Sequence, residues 1–89
     1  MNVMDTATLD FVKELDARGL NCPLPILRCK KALADLQGGQ ILKIVATDPG
    51  SVKDFQAFCK QTGHELVHFE ERDAQPRKEF IFHMRKRST

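Results

Sequence analysis

One segment of the chain, residues 40–47, restricts the fold more than any other. It consists of Gln-Ile-Leu-Lys-Ile-Val-Ala-Thr and is nearly continuously apolar, with mostly aliphatic and β-branched side chains. Such a run is typical of an inner strand that has a neighbour on each side. At 89 residues the chain is long enough for one domain with a modest core. We therefore expect this strand inside the sheet of a single domain.

The half of the chain before this strand predicts one strand and one helix. Residues 11–17 alternate apolar and polar side chains, which indicates a strand. After a turn at Gly19, the segment from Pro23 to Gln37 has the pattern of a helix, and Gly38-Gly39 is a natural C-terminal stop.

The half of the chain after the strand predicts a helix and a hairpin. Asp48-Pro49 supplies an N-cap acceptor followed by proline at the first helical position, and Gly63 ends the helical pattern. Residues 64–72 and 79–86 alternate with period two around a turn at 73–76. These two segments should form an antiparallel hairpin.

The predicted order of elements is β-α-β-α-β-β. Two helices cannot cover both faces of four strands well, so they should lie together on one face. The expected fold class is α/β (α+β): a two-layer sandwich with a four-stranded mixed sheet. We predict one domain over residues 1–89, with its core at about 9–86, because the sequence contains no linker or repeat.

The composition excludes several classes of protein. The chain is 42% hydrophobic and 29% charged with a net charge of +2, which is typical of a globular domain. No apolar run approaches the roughly 20 residues that span a bilayer, and the N-terminus lacks the pattern of a signal peptide. Three cysteines without tight spacing argue against a secreted disulfide framework. We expect a cytoplasmic protein with free thiols and no membrane contact.

Two of the three cysteines fall on predicted core stripes. Helical rotation puts Cys29 in line with Ile26, Leu33 and Leu36. The second helix gathers its apolar residues on one side, and they are Val52, Phe55, Phe58 and Cys59 together with Thr62. An unpaired cysteine commonly behaves as a small buried hydrophobe, so both are predicted to be structural. Whether Cys59 assists any chemistry is left open by the sequence.

Cys22 differs because it precedes the first helical turn. The helix macrodipole and unpaired backbone N–H groups favour a thiolate at that position, with Leu24 and Ile26 as the residues that keep donors. Basic residues nearby would depress the thiol pKa further, and they are Arg18, Arg28 and Lys30. On local physics alone, a stiff helix entrance with an incidental cysteine explains the segment equally well.

Disulfide and metal chemistry fit the sequence poorly. Cys22 and Cys29 are about 10 Å apart along a helix, beyond the reach of a disulfide, so only a Cys22–Cys59 bridge remains possible. The cysteines lack ligand spacing, and His64 and His68 lie too far apart on a strand to share a metal ion. We expect no metal and no cofactor.

The segment around Cys22 resembles the TusA/SirA-like sulfurtransferase family. The run is Leu15-Asp16-Ala17-Arg18-Gly19-Leu20-Asn21-Cys22-Pro23-Leu24-Pro25. The resemblance covers about residues 9–86 and implies a two-layer sandwich in which Cys22 accepts sulfur as a persulfide. It also assigns supporting positions to Pro23, Pro25, Gly19 and Asp16. Some family members carry an acidic residue where this chain has Leu24, which bears on the choice of partner.

The resemblance further implies partners for sulfur transfer. The donor would be a cysteine desulfurase and the acceptor another protein, in tRNA 2-thiouridine formation, molybdenum cofactor synthesis or sulfur oxidation. The chain would act as a sulfurtransferase in the sense of a partner-dependent persulfide carrier. Basic residues could steer acidic partner surfaces, and the candidates for docking are Arg18, Arg28 and Lys31.

Two other functions stay open at this point. A nucleic-acid-binding module could use Arg85-Lys86-Arg87 and the first helix, although six Phe with no Trp or Tyr offer few stacking residues, which argues against direct nucleic-acid binding. A thiol-based redox or regulatory protein could oxidise Cys22 reversibly. A test for added sulfur on Cys22 separates these alternatives.

Overall fold

The computed structural model describes residues 10–88 and contains two helices and four strands within them. In chain order they are β1 (Lys13–Ala17), α1 (Leu24–Ala34), β2 (Ile41–Ala46), α2 (Ser51–Thr62), β3 (Glu65–Arg72) and β4 (Glu79–Arg85). The predicted order is confirmed. Residues 1–9 and residue 89, which the predicted domain includes, lie outside the described residues.

The four strands form one mixed sheet in the order β1-β2-β4-β3. β1 is parallel to β2, and β4 is antiparallel to both of its neighbours. Ile44 of β2 lies between Leu15 of β1 and Phe82 of β4 in the register. The apolar segment 40–47 therefore forms an inner strand, as predicted, because it has a hydrogen-bonded neighbour on each side.

Both helices pack on the same face of the sheet. Phe55 of α2 is fully buried, and its ring centroid lies 4.7 Å from that of Phe82 in β4. From α1, Cys29 and Leu33 enter the same cluster. On the sheet side the cluster contains Leu42, Ile44, Ala46, Phe80 and Met84. The two-layer sandwich is thus closed by apolar side chains that alternate along the inner strands.

Helix α1 is shorter than predicted at its C-terminal end. It stops at Ala34 instead of Gln37. The N–H of Asp35 donates to Ala32 O at 3.2 Å, and the N–H of Leu36 donates to Leu33 O at 3.0 Å. These bonds span three residues, so the last turn tightens and the α-helical pattern ends before the glycines.

Helix α2 begins two residues later than predicted. Gly50 is its N-cap, and Asp48 instead closes a turn in front of the helix. Oδ1 of Asp48 accepts from Gly50 N–H at 3.2 Å, and the Asp48 carbonyl accepts from Ser51 N–H at 2.9 Å. At the other end Gly63 is in the left-handed conformation with φ of 87° and stops the helix as predicted.

The topology brings the starts of both helices to one edge of the sheet. β1, β2 and β3 all run in the same direction, because β2 and β3 are both antiparallel to β4. Each helix returns the chain between two such strands, so α1 and α2 both begin beside the carboxyl ends of β1 and β2. Cys22 and Asp48 meet at this edge.

Candidate functional site around Cys22

The loop between β1 and α1 is held against the end of β2. Gly19 has φ of 80°, a conformation in which any other residue would be strained. Its N–H donates to Oγ1 of Thr47 at 2.9 Å. The N–H of Leu20 donates back to Ala17 O at 3.2 Å. A tight turn therefore fixes the path of the chain three residues before Cys22.

Cys22 is exposed and lies directly before Pro23, the N-cap residue of α1. Its N–H donates to Oδ2 of Asp48 at 3.0 Å. Pro25, in the first turn, is buried. The Cys22–Pro23 peptide bond is cis. The predicted exposure of this thiol at a helix entrance is confirmed.

The helix start offers few hydrogen-bond donors to the sulfur. Pro23 and Pro25 have no N–H. The N–H of Leu24, one of the two donors predicted near the cysteine, is already bonded to Asn21 O at 2.8 Å. Fewer N–H groups are therefore free to stabilise a thiolate at Cys22 than the sequence suggests, and the effect of the helix dipole is correspondingly weaker.

The predicted preference for a thiolate at Cys22 is wrong for the free protein. The pKa of this thiol is raised above its ordinary value of 9.0, mainly because it interacts with the carboxylate of Asp54, and further because of some loss of solvation and the charge of Asp48. Negative charge beside a thiol disfavours its ionised form. At neutral pH the resting protein therefore holds Cys22 mostly as a thiol.

Arg18 does not supply the positive charge expected beside Cys22. Its guanidinium binds both oxygens of Asp16 at 2.9 and 3.1 Å, and it reaches Oε2 of Glu79 at 3.3 Å. Glu79 in turn accepts from Arg72 at 2.7 Å. The Arg18 side chain thereby lowers the pKa of Asp16 and ties the loop to β4. Asp16 and Gly19 shape the loop and do not line the groove beside the sulfur.

The other two docking candidates, Arg28 and Lys31, lie on a different side of α1. They line a separate concavity with Lys13, Leu15 and Asp35, next to the edge strand β1. The structure thus does not bring the three predicted docking residues together around the cysteine. Their role in partner binding stays a prediction.

An interhelical groove opens beside the thiol and runs between α1 and α2. Its volume is about 260 Å³. Its walls are Cys22, Ile26 and Lys30 on the α1 side and Asp54, Ala57 and Phe58 on the α2 side. A second concavity of about 510 Å³ continues from it and shares Lys30, Phe58 and Gln61. The sulfur therefore lies at one end of an open channel.

Sequence reasoning missed Asp54 and placed Lys30 only in a general basic region. The helical rotation of α2 does put Asp54, Ala57 and Phe58 on one flank. That flank becomes part of the site only because α1 and α2 are side by side with their starts at the same edge. The pairing of the two helices depends on the strand order, which local patterns do not give.

Cys29 and Cys59 are buried in the core, as predicted, and all three cysteines are free. Burial raises the pKa of Cys29 to about 12 and that of Cys59 to about 11. Cys59 does not line the groove that contains Cys22. Within residues 10–88 no three side chains of His, Cys, Asp or Glu are placed to hold a metal ion.

Two leucines form an exposed apolar surface on the first turns of α1. Leu24 is 42% exposed and Leu27 is 51% exposed. They are three residues apart, so they lie on the same side of the helix. An exposed apolar surface of this kind is a natural place for a protein partner to bind.

The C-terminal basic run has local partners in the fold. Arg85 binds Glu65 at 2.8 Å. Lys86 donates to Leu36 O at 2.6 Å, and Arg87 donates to Thr62 O at 2.8 Å. Arg87 thus caps the C-terminal end of α2, and Lys86 binds the turn that follows α1. These contacts give the basic residues a structural role that does not involve nucleic acid. Across residues 10–88, neither helix has the length and apolar composition to span a membrane.

Comparisons with known proteins agree with this arrangement. A family model described as Sulfurtransferase TusA matches residues 13–86. The sulfur carrier protein TusA of Allochromatium vinosum is 66% identical over 62 residues, which are 70% of this chain and 82% of that protein. A TusA sulfur carrier of Pseudomonas aeruginosa is 47% identical over 57 residues, which are 64% and 72% of the two chains.

The fold also has a counterpart among solved structures. A SirA-like protein from Desulfitobacterium hafniense superposes with a TM-score of 0.64. The match covers 84% of this chain and 99% of the other at 24% identity. At that identity the likeness shows the fold: a four-stranded mixed sheet with two helices.

Proposed function

This chain belongs to the sulfurtransferase TusA family, and on that premise we propose that it carries sulfur as a persulfide on Cys22. The family supports a sulfur carrier role in general. The finer proposal is that Cys22 takes the sulfur from a cysteine desulfurase and gives it to an acceptor protein.

The observation that carries the proposal is the contrast between the three thiols. Cys22 is exposed at a helix entrance, while Cys29 and Cys59 are buried with raised pKa values. Sulfur transfer between proteins requires that one sulfur atom reach another through a docked interface. Among the cysteines of this chain, Cys22 has the exposure that such an encounter needs.

The transfer needs two exchanges and no external oxidant. The Cys22 sulfur attacks the outer sulfur of the donor persulfide, a new sulfur–sulfur bond forms, and the bond within the donor breaks. The donor leaves as a thiol because it takes the proton that Cys22 loses. In the second exchange, an acceptor thiolate attacks the outer sulfur on Cys22, and Cys22 is restored.

The surroundings of Cys22 fit a reaction that begins only after a partner protein has docked. The Asp54 carboxylate raises the pKa of the Cys22 thiol, so the free protein presents little thiolate. A docked partner that brings positive charge near Asp54 would lower that pKa again. The thiol would then become reactive mainly inside the complex. A reducing cytoplasm would keep it free between encounters.

The downstream pathways that we propose are those implied by the family resemblance. They are tRNA 2-thiouridine formation, molybdenum cofactor synthesis and sulfur oxidation, each with its own acceptor protein. The exposed Leu24 and Leu27 on the first turns of α1 would contribute apolar contact. Arg18, Arg28 and Lys31 stay candidates for steering acidic partners.

The test is direct loading of sulfur. The protein is incubated with a cysteine desulfurase, its pyridoxal phosphate and L-cysteine, and the peptides are analysed by mass spectrometry without reduction. We expect one added sulfur on the peptide that contains Cys22, and none in Cys22→Ser. Sulfur on Cys29 or Cys59, or no added sulfur, would defeat the proposal. Added oxygen instead of sulfur would favour the redox alternative.

A further inference from the structure

The distance between Cys22 and Lys30 along the interhelical groove can be derived from the helix geometry. Cys22 lies just before α1, and Lys30 lies eight residues later; both line the groove on its α1 side. The helical part from Leu24 to Lys30 advances about 9 Å along the axis, and the two residues that precede it bring the separation to roughly 12 Å. An extended peptide advances about 3.3 Å per residue, so about four residues of a bound strand would cover this distance.

The charges in the groove differ from one end to the other. Asp54 lies beside the thiol, and Asp48 binds the Cys22 backbone. Lys30 lies at the far side, and within residues 10–88 no carboxylate comes within salt-bridge distance of it. Lys86 and Arg87 line the continuation of the groove and donate hydrogen bonds to carbonyl oxygens there. The groove is negative near the sulfur and positive beyond it.

The floor between these ends is mostly apolar, with Gln61 as a polar residue that lines both concavities. Ile26 and Leu33 of α1 face Ala57 and Phe58 of α2 along the two concavities. An apolar floor with opposite charges at its ends recognises a segment with the reverse order of charges. A bound segment would then have a fixed direction.

We propose that the interhelical groove binds an extended, cysteine-bearing segment of the sulfur-transfer partner, with a carboxylate about four residues from that cysteine paired to Lys30. The residues between them are apolar or small, and the position next to the cysteine is not acidic because Asp54 would repel it. The inference rests on the proposed function, since it assumes that the partner brings its cysteine to Cys22.

The test uses peptides whose cysteine is activated as a mixed disulfide with 5-thio-2-nitrobenzoate. The Cys22 thiolate attacks the peptide sulfur, a peptide–Cys22 disulfide forms, and the coloured thiolate leaves, so no other oxidant is needed. The peptides carry Glu or Lys four residues after the cysteine, and a second pair carries the same residues four positions before it. The measured quantity is the ratio of rate constants, Glu peptide over Lys peptide.

In the wild-type protein we expect a ratio of about three to ten in one of the two directions at low salt, falling toward one at high salt. Lys30→Glu should invert the ratio. Lys60→Glu is the matched control, because Lys60 is an exposed lysine of α2 that does not line the groove. The ratio cancels any general effect of the added charge on the pKa of Cys22.

A ratio near one in both directions, or the same ratio in Lys30→Glu and Lys60→Glu, would overturn the groove assignment. Both changes are on exposed side chains, and urea unfolding verifies that the variants are folded. The outcome is independent of sulfur loading. A protein that loads sulfur on Cys22 but shows no peptide preference keeps the proposed function and loses only this inference.

Discussion

The backbone N–H of Cys22 donates a 3.0 Å hydrogen bond to Oδ2 of Asp48, a residue 26 positions later in the chain. The other oxygen of Asp48 binds Gly50 N–H in front of α2. One carboxylate thus joins the entrances of both helices. The position of the sulfur depends on the packing of α1 against α2 as well as on its own loop.

Replacement of Asp48 tests this link. Asp48→Ala removes acceptors from Cys22 N–H and Gly50 N–H, which should lower the free energy of unfolding by about 1–2 kcal/mol. Urea denaturation followed by circular dichroism measures the change. Asp48→Asn keeps one oxygen acceptor and should lose less. Equal stability of all three proteins would show that the bond contributes nothing to the fold.

Neutralisation of Asp54 should make Cys22 more reactive. The carboxylate is the largest cause of the raised pKa of this thiol, so Asp54→Asn should lower that pKa toward its ordinary value. The rate of alkylation by iodoacetamide, followed against pH, should show an earlier rise and a faster reaction at neutral pH. Asp35→Asn is the control, because Asp35 pairs with Lys13 at the other end of α1.

An unchanged pH profile in Asp54→Asn would contradict the role of this carboxylate. A profile that moves equally in Asp35→Asn would indicate a general charge effect instead. The salt dependence of the two variants distinguishes these cases, since a distant charge is screened more strongly than a neighbouring one.

The folded protein should show one reactive thiol. Burial raises the pKa of Cys29 to about 12 and that of Cys59 to about 11, and both side chains are shielded from reagents. Titration with Ellman's reagent at neutral pH should therefore modify one thiol per chain rapidly, and all three in urea. Cys22→Ser should leave none in the fast phase. Rapid reaction of a second thiol would contradict the burial of the core cysteines.

The stability of the fold should fall below neutral pH because of His83. This side chain is buried, and its Nδ1 has no hydrogen-bond partner among residues 10–88. Burial lowers the pKa of His83 from 6.5, and the nearby His68 and Lys43 lower it further, against the opposite effect of Glu70. The unfolded chain then binds more protons than the folded one just below pH 6.5, so acidification favours unfolding.

His83→Leu should remove part of this pH dependence. The urea midpoint of the wild-type protein should drop between about pH 7.5 and about pH 5.5 by more than that of the variant. A residual drop is expected, because the pKa of His64 is also lowered, chiefly by its burial. If both proteins lose the same stability over this interval, His83 is not a source of the effect.

Much of the fold was predictable because its signals are local. The apolar run 40–47 predicted β2, and Gly63 predicted the end of α2 through its left-handed conformation. The core positions of Cys29 and Cys59 followed from helical rotation alone. The start of α2 was less predictable, because the Asp48 carboxylate does not cap the helix and instead accepts hydrogen bonds from the N–H groups of Gly50 and Cys22.

The electrostatics of the site were not predictable in the same way. A helix start and basic neighbours suggested a lowered pKa for Cys22, yet Asp54 lies 32 positions away in sequence and reverses the direction. Arg18 looked available but is bound to Asp16 and Glu79. Contacts between distant segments decide both points, and no local pattern contains them.

The exposure of Cys22 also limits how long this protein could hold a sulfur atom on that side chain. A sulfur atom added to that side chain would extend about 2 Å further into solvent, where small nucleophiles could strip it away. On the proposed function, such a persulfide would be short-lived outside a complex. If Cys22 carries sulfur as proposed, the protein would pass it on quickly rather than store it, and the rate of transfer would depend on how close its donors and acceptors are to one another.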